Sequence, residues 1–157
     1  MLVYRIEREK YLSTTLSGLG ASLSAGFRWN SEHTRMVYTA ESRALALLEV
    51  AVHLDLSEDL PKDRYIVEIE IPDKLKVQEL TAADLPRQWN HHPPLRSTKD
   101  LGDQFINSHT SAVMKVPSAL VPMEYNYLIN PLHPDSTKIR VKRKTKLTFD
   151  SRLKFGG

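Results

Sequence analysis

The sequence predicts an α+β fold with a mixed, mainly antiparallel sheet and a few flanking helices. Six or more short segments with strand character are spread along the whole chain, and about three helical segments fall between them without regular β–α alternation. The chain has 157 residues, of which 41% are hydrophobic. This size suits one hydrophobic core, so residues 1–157 are expected to form a single domain.

Residues 64–72 give the clearest strand pattern. Val67, Ile69 and Ile71 alternate there with mostly polar side chains, which is typical of a strand with one buried face. Further extended segments are predicted at residues 2–6, 27–30, 36–40, 74–80, 111–116, 124–130 and 137–144.

The strongest helix prediction covers residues 41–54, where alanine and leucine dominate. Thr39 is its predicted N-cap, and Glu41 lies in the first turn, where the helix dipole favours an acidic side chain. A second helix is predicted at 98–107, after the break formed by the sequence HHPP.

Residues 13–26 are small and polar, so they predict a loop or a weak helix. Gly18 and Gly20 in this segment permit a close approach of the backbone to another group.

The composition narrows the class of protein. The chain has no cysteine, so disulfides and thiolate metal sites are excluded, and a reducing cytoplasm is the expected location. The N-terminal residues are too charged for a secretory signal, and the longest apolar run, residues 44–52, is too short for a membrane span. The histidines show no metal-ligand spacing, so no metal is expected.

A basic strip lies near the C-terminus. Residues 138–154 hold eight basic residues and one acidic residue, Asp150, although the whole chain has a formal charge of only +3. Such a strip could bind nucleic acid or an acidic partner, or it could protect the edge of a sheet with solvated charges. The segment has no interleaved aromatic residues that would stack on bases, so both interpretations stay open.

Glu49 is the most informative single residue. It lies within the sequence ALALLEVAV, which is apolar nearly all round a helix, so its carboxylate is expected to be buried or to face a cavity. Acids in such surroundings are frequent at active sites. The structural alternative is a pair with His53 one helical turn further on.

Arg28 lies between two aromatic rings in the sequence GFRWN. If the segment is a strand, both rings point to the face opposite Arg28 and leave the guanidinium alone on its own side. The guanidinium is suited to a bidentate contact with a carboxylate or phosphate, whereas the structural alternative is an ion pair with Glu32 or Glu41.

Three further residues are weaker candidates. Ser118 lies in a turn between two prolines, which fixes its hydroxyl but is also ordinary turn composition. Tyr38 and Arg5 lie in predicted strands, where each could line a pocket or pack in the core. The sequence contains no P-loop, no dinucleotide-binding glycine motif, no zinc-protease motif and no serine-hydrolase elbow.

Taken together, the ordered segments GFRWN, MVYTA, LALLEV, VPSALVPMEYNYLINPLHP and FDSRL resemble the RES-domain toxins, which are named after an arginine, a glutamate and a serine. The resemblance runs from YRI near the N-terminus to FDSRL. It implies an ADP-ribosyltransferase-like fold and an enzyme that degrades NAD⁺ as its substrate, with no separate cofactor.

The resemblance also implies partners and site residues. It implies the toxin half of a toxin–antitoxin pair, neutralised by an Xre-type antitoxin whose own domain contacts DNA, without a membrane or direct DNA contact by the toxin. The implied pocket residues are Arg28, Tyr38, Glu49 and Ser118, with Arg5 and Asn130 as further binding candidates.

The residue types fit cleavage of the nicotinamide–ribose bond. Nicotinamide leaves as a neutral base, so the main need is to stabilise a positively charged, oxocarbenium-like ribose, which suits Glu49. Arg28 and the Gly18–Gly20 backbone suit the pyrophosphate, Tyr38 could stack on nicotinamide, and Ser118 could orient the ribose or the amide.

The fate of the ADP-ribose stays open at this stage. The acceptor could be water, phosphate or a cellular protein that becomes mono-ADP-ribosylated. A different class of function also stays open. In it the chain is a binding module without catalysis, which binds an antitoxin or nucleic acid through residues 138–146.

Overall fold

A sheet of seven strands forms the centre of the described part of the chain. The computed structural model describes residues 1–54 and 60–153. The strands are β1 (Leu2–Arg8), β2 (Val37–Ala40), β3 (Arg64–Glu70), β4 (Val77–Glu79), β5 (Val113–Pro117), β6 (Tyr125–Ile129) and β7 (Arg140–Lys146), in the spatial order β4-β5-β6-β2-β1-β3-β7. All neighbouring pairs are antiparallel except β4 and β5. The predicted α+β class with a mainly antiparallel sheet is confirmed.

The described residues form three α-helices: α1 (Leu19–Ser22), α2 (Arg43–Ala51) and α3 (Arg96–Ser108). Short 3₁₀ turns occur at Glu9–Thr14, Ala82–Asp84, Pro134–Lys138 and Ser151–Leu153. None of these helices has the length and apolar character needed to cross a membrane.

The sheet is opened between β1 and β2. β1 pairs with β3 along seven residues, from Leu2–Glu70 to Arg8–Arg64, but its register with β2 is the single pair Tyr4–Ala40. Because Ala40 is the last residue of β2, the rest of β2 diverges from β1, and the gap leaves room for a cavity between them.

Apolar side chains pack on both faces of the sheet. On one face Val3, Val67 and Ile69 belong to a fully buried cluster, which confirms the predicted alternation in β3. On the other face Leu45 and Ala46 of α2 pack against Ile6 of β1. This second contact fixes α2 over the point where β1 and β2 diverge.

The prediction of a strand at residues 27–30 is wrong. These residues form an irregular segment. Trp29 is buried and Phe27 is partly buried in the same cluster, so the two rings are not left on a strand face opposite Arg28. Side-chain hydrogen bonds hold this segment in place of strand pairing.

The predicted helix at 41–54 is shorter in the structure and begins later. Ser42, not Thr39, caps α2, because its side chain accepts a hydrogen bond from the backbone N–H of Leu45 at 3.0 Å. Thr39 lies within β2, and its hydroxyl donates to the carbonyl of Tyr127 at 2.7 Å. Glu41 precedes the helix and accepts a hydrogen bond from the backbone of β6.

The environment of α2 also differs from the prediction. Leu45 and Ala46 are buried, but Leu48 is 40% exposed and Val52, just after the helix, is 52% exposed. The helix therefore buries one apolar face in the core, while its other apolar side chains border solvent.

The close approach at Gly18 is structural. Its φ of +67° favours glycine, and a Cβ there would lie 2.8 Å from the backbone nitrogen of Met36. Gly18 and Gly20 are not among the residues that line the cavity described below. The cavity therefore gives no support to the expectation that this backbone approaches a pyrophosphate.

The remaining element predictions agree in position. α3 covers the predicted helix at 98–107, and the short helix α1 lies inside 13–26. The basic strand begins at Arg140, three residues later than predicted, because residues Pro134–Lys138 form a 3₁₀ turn.

Candidate active site

A cavity of about 770 Å³ lies where β1 and β2 diverge. Its walls come from β1, β2, α2, the irregular segment around Arg28, the loop before α3 and the turn between β5 and β6. The residues that line it are Tyr4, Arg5, Ile6, Ser24, Gly26, Phe27, Arg28, Trp29, Tyr38, Thr39, Ala40, Ala46, Glu49, Val50, Val52, His53, Leu54, Arg64, Asn90, His92, Pro94, Ala119, Leu120 and Asn126.

Glu49 reaches the cavity from α2 and is half-buried. Burial raises the pKa of its carboxyl above the ordinary value, while the Asn126 amide, the Arg28 guanidinium and the Ser118 hydroxyl nearby lower it. The net direction is upward because loss of hydration is the largest effect. A carboxylate in this position gains from a ligand that brings positive charge.

Arg28 lines the same cavity, and Glu49 is its strongest charged neighbour. Burial lowers the pKa of Arg28, and the negative charge of Glu49 opposes that effect. One nitrogen, Nη1, donates to the carbonyl oxygens of Trp89 and His91 at 2.9 and 2.8 Å. Arg28 therefore binds the loop before α3 through Nη1, while its other guanidinium nitrogens make no hydrogen bond to the described residues.

The segment that carries Arg28 is held by its neighbours in sequence. The backbone N–H of Trp29 donates to the Tyr38 hydroxyl at 3.0 Å, and that hydroxyl donates to the Asn30 side chain at 2.6 Å. Asn30 is fully buried and also donates to the carbonyl of Ala21. These bonds replace the strand pairing that the segment lacks.

Helix α3 also contacts the segment that carries Arg28. The backbone N–H of Ser31 donates to the Asp103 carboxylate at 2.9 Å. Gly102 lies so close to the carbonyl of Trp29 that a Cβ would come within 1.6 Å of the oxygen. Arg28 is thus placed by a contact between α3 and residues distant in sequence.

Tyr38 lines the cavity and also supports the segment that carries Arg28. Its hydroxyl is occupied by Trp29 and Asn30, and its ring packs against Phe27 with the centroids 5.1 Å apart. Burial raises the pKa of Tyr38 well above its ordinary value, so the hydroxyl stays protonated. The stacking role on nicotinamide remains an expectation.

Ser118 lies beside Glu49 rather than in the cavity wall. Its Oγ accepts hydrogen bonds from the backbone N–H groups of Leu120 and Val121, both at 3.1 Å. The hydroxyl hydrogen is therefore directed away from the turn, and the hydroxyl lowers the pKa of Glu49. Ser118 has the turn-forming role that the sequence predicted, but it does not line the cavity as the resemblance implied.

Arg5 is brought into the cavity wall from β1. Burial lowers its pKa, while the charge and hydrogen bond of Glu7 raise it. Among the residues that the structure describes, Arg5 Nε is the one buried side-chain nitrogen or oxygen without a hydrogen-bond partner. A buried N–H group of this kind is costly unless a ligand accepts from it.

Asn130 is not brought into the cavity. It is fully buried at the end of β6, where its amide donates to the carbonyl of Ile106 at 3.1 Å and its oxygen accepts from the N–H of Leu132 at 3.0 Å. The amide nitrogen therefore ties the end of β6 to α3, and the amide oxygen holds the turn that follows β6.

Sequence reasoning missed several polar residues of the cavity, chiefly Asn126, Thr39 and Arg64. Asn126 follows Tyr125 on β6 and helps to support Glu49, but nothing in the alternation of that strand marks its face as functional. The sequence suggests His53 only as a possible pair for Glu49. It lines the cavity one helical turn away, and its pKa is lowered by partial burial and by the charges of His92 and Arg28.

No three histidine, aspartate or glutamate side chains come together as a metal site in residues 1–54 and 60–153. The polar groups of the cavity are instead an acid, several arginines and amides, which suit an anionic organic ligand with a cationic centre. Fold and cavity together define an α+β protein with a half-buried acid beside an arginine.

Comparison with known proteins agrees with this description. Residues 2–150 match the RES domain family. The "Prs ADP-ribosylating toxin" of Sphingobium sp. is 43% identical over 145 residues, which cover 91% of this chain and 89% of that protein. "Toxin Res" of Yersinia enterocolitica is 37% identical over 155 residues, covering 98% and 100% of the two chains.

The fold also matches a solved structure. The M. tuberculosis MbcT–MbcA toxin–antitoxin complex contains a chain that superposes with a TM-score of 0.75 at 18% identity, over 94% of this chain and 84% of that one. This likeness shows that the two chains share a fold. The chain belongs to the RES domain family, whose relatives named here are toxins.

Proposed function

We propose that this chain is the toxin of a toxin–antitoxin pair and cleaves NAD⁺ between nicotinamide and ribose. The observation that carries the proposal is Glu49, a half-buried carboxylate that shares a cavity of about 770 Å³ with Arg28. The cavity is of the size that small-molecule and cofactor sites occupy.

The proposed reaction breaks the bond between the ribose anomeric carbon and the pyridinium nitrogen. The bonding electrons leave with nicotinamide, which becomes neutral, and the ribose becomes oxocarbenium-like. Glu49, held at the cavity by α2, stabilises this positive charge. Water or phosphate then adds to the anomeric carbon and releases its proton to solvent.

Arginines suit the rest of the substrate. Arg28 and Arg5 both line the cavity, and their guanidinium groups are suited to phosphate oxygens. Arg28 has N–H groups besides those of Nη1, which bind the loop before α3, and Arg5 Nη1 is accessible and makes no hydrogen bond to the described residues. Both are therefore assigned to binding of the pyrophosphate.

The test is nicotinamide release from NAD⁺ by the purified protein. Glu49→Gln should lower the rate at least about 100-fold, the usual loss when one electrostatic stabiliser of a transition state is removed. Asp100→Asn, which removes an exposed helical acid paired with Arg96, serves as the matched control and should keep the wild-type rate. Wild-type protein that releases no nicotinamide would refute the proposal.

A second candidate function is transfer of ADP-ribose to a protein. One relative, 43% identical over most of both chains, is named an ADP-ribosylating toxin for Prs. The bond that breaks is the same, but a protein side chain replaces water or phosphate as the acceptor. NAD⁺ labelled in its adenylate half distinguishes the two, since the label ends on protein in one case and only in small molecules in the other.

The proposed partner is an Xre-type antitoxin that carries the DNA-binding domain. The solved structural neighbour is titled a toxin–antitoxin complex, which supports a partner of this kind. Expressed alone in the bacterial cytoplasm, the wild-type toxin should arrest growth, whereas Glu49→Gln should be tolerated. Co-expression of the antitoxin should restore growth of the wild type.

A further inference from the structure

A carboxylate that the proposed reaction does not use holds the Arg5 guanidinium. Glu7 lies two residues further along β1, so both side chains leave the same face of the strand. Arg5 Nη2 donates to Glu7 Oε2 at 3.0 Å. The exposed fractions of the two side chains are 22% and 11%, so water competes little for this contact.

Glu7 is itself fixed from two sides. Thr15, which is 4% exposed, donates its hydroxyl to Glu7 Oε2 at 3.1 Å. The other oxygen, Oε1, accepts from the backbone N–H of Arg8 at 3.0 Å. Neither Glu7 nor Thr15 lines the cavity, so the pair stands behind Arg5 as seen from the ligand site.

The hydrogen bonds leave Arg5 with one side satisfied and one side available. Nη2 is bound to Glu7, while Nε is buried and has no acceptor within the described ranges. A guanidinium is planar, so fixing one nitrogen fixes the direction of the others. The N–H groups of Nη1, which makes no hydrogen bond to the described residues and is not buried, therefore have a set orientation before any ligand arrives, which lowers the entropic cost of binding.

We propose that Glu7 is a positioning residue for substrate binding, which fixes the Arg5 guanidinium so that its free N–H groups receive phosphate oxygens of the dinucleotide, with Thr15 holding Glu7 in place. This inference rests on the proposed function. Glu7 also opposes the lowering of the Arg5 pKa by burial and so helps to keep the guanidinium charged.

The test compares Glu7→Gln, Thr15→Val and the wild type by the kinetics of nicotinamide release. Glu7→Gln should raise KM for NAD⁺ about 10- to 100-fold with little change in kcat, as expected for loss of a charge-assisted contact that acts in binding. Thr15→Val, a milder change of similar shape, should raise KM about 3- to 10-fold. Glu70→Gln, an acid of β3 paired with Lys142 away from the cavity, is the control and should leave KM unchanged.

A double-mutant cycle shows whether Glu7 acts through Arg5. In an Arg5→Ala background, Glu7→Gln should change KM no further, because the group that it positions is gone. An equal rise in KM in both backgrounds would overturn the inference and assign Glu7 to general stability of the fold. Circular dichroism and melting curves identify any variant that does not fold, and Thr15→Val then carries the test.

Calorimetry separates binding from turnover. In a Glu49→Gln background, the dissociation constant of NAD⁺ should rise with Glu7→Gln by the same factor as KM. If the wild type releases nicotinamide but neither Glu7→Gln nor Thr15→Val alters KM or binding, this inference fails while the proposed function stands. Wild-type protein that neither binds nor cleaves NAD⁺ overturns both.

Discussion

At the scale of single residues, Glu49 combines a cost in stability with a chemical use. Burial raises the pKa of this carboxyl, so the ionised form is less stable in the folded protein than in water. In the proposed reaction, an oxocarbenium-like ribose would add positive charge close to this carboxylate. A carboxylate that is poorly stabilised before the reaction is thus suited to stabilise the transition state.

The raised pKa of Glu49 predicts how the stability of the folded protein depends on pH. Below the ordinary value of 4.5, Glu49 is protonated in both the folded and the unfolded chain. As the pH rises through its higher pKa in the folded protein, ionisation favours the unfolded chain, so this residue's contribution to stability is lost. Glu49→Gln should therefore melt at the same temperature as the wild type at low pH and at a higher temperature near pH 7. A wild type that becomes relatively more stable as the pH rises would contradict this prediction.

Tyr38 shows how a residue of the cavity wall acts through its neighbours. Tyr38→Phe removes the acceptor for Trp29 N–H and the donor to Asn30. Unpaired buried groups predict a loss of about 1–3 kcal/mol in the free energy of unfolding, together with a higher KM because the Arg28 segment loses its support. Chemical denaturation and nicotinamide release measure the two effects. Tyr127→Phe, outside the cavity, should change neither by a comparable amount.

At the scale of elements, α3 places the Arg28 segment although α3 itself does not line the cavity. Gly102 allows the helix to lie against the carbonyl of Trp29, and Asp103 accepts from Ser31. Irregular backbone of this kind needs partners for its polar groups, and here both the helix and Tyr38 supply them.

Gly102→Ala should therefore damage the site from a distance. The added methyl group would meet the Trp29 carbonyl, so α3 or the segment must move, at a cost of about 1–3 kcal/mol or more. We expect a lower melting temperature and a higher KM for NAD⁺. Gly20→Ala is the matched control, because a Cβ there meets nothing within 4 Å, and its melting temperature should not fall. Equal effects of the two substitutions would show that the contact with Trp29 is unimportant.

At the scale of the whole molecule, the site depends on how the sheet is assembled. β1 and β2 lie side by side in the middle of the sheet but share only one paired position, and α2 packs over the gap. The two edge strands, β4 and β7, contribute no residue to the cavity. The cavity in the middle of the sheet is thus separated from the solvated edge strands.

The basic strand β7 is predicted to protect its edge of the sheet. Lys142, Lys144 and Lys146 are exposed there, and such charges discourage strand pairing between molecules. Replacing the three lysines by glutamine should leave kcat/KM for NAD⁺ unchanged and increase aggregation, measured by light scattering. Unchanged scattering together with loss of antitoxin or nucleic-acid binding would instead support an interface at β7.

The candidate site was partly predictable because two of its residues conflict with their local surroundings. Glu49 interrupts an apolar helix, and Arg28 separates two aromatic residues, and both line the cavity. Asn126 and Arg64 could not be found in the same way, since a polar residue in a strand is ordinary. Asn130 was expected at the site through resemblance, but its amide is used between β6 and α3.

The class of fold, most strand and helix positions, and the acid and arginine of the candidate site follow from the order of amino acids alone. These depend on local periodicity and on residues whose chemistry conflicts with their neighbours. Only the tertiary structure decided that residues 27–30 are irregular, that β1 and β2 diverge, and that Glu7 stands behind Arg5. These features arise from contacts between segments distant in the chain, and local sequence carries no direct signal for such contacts.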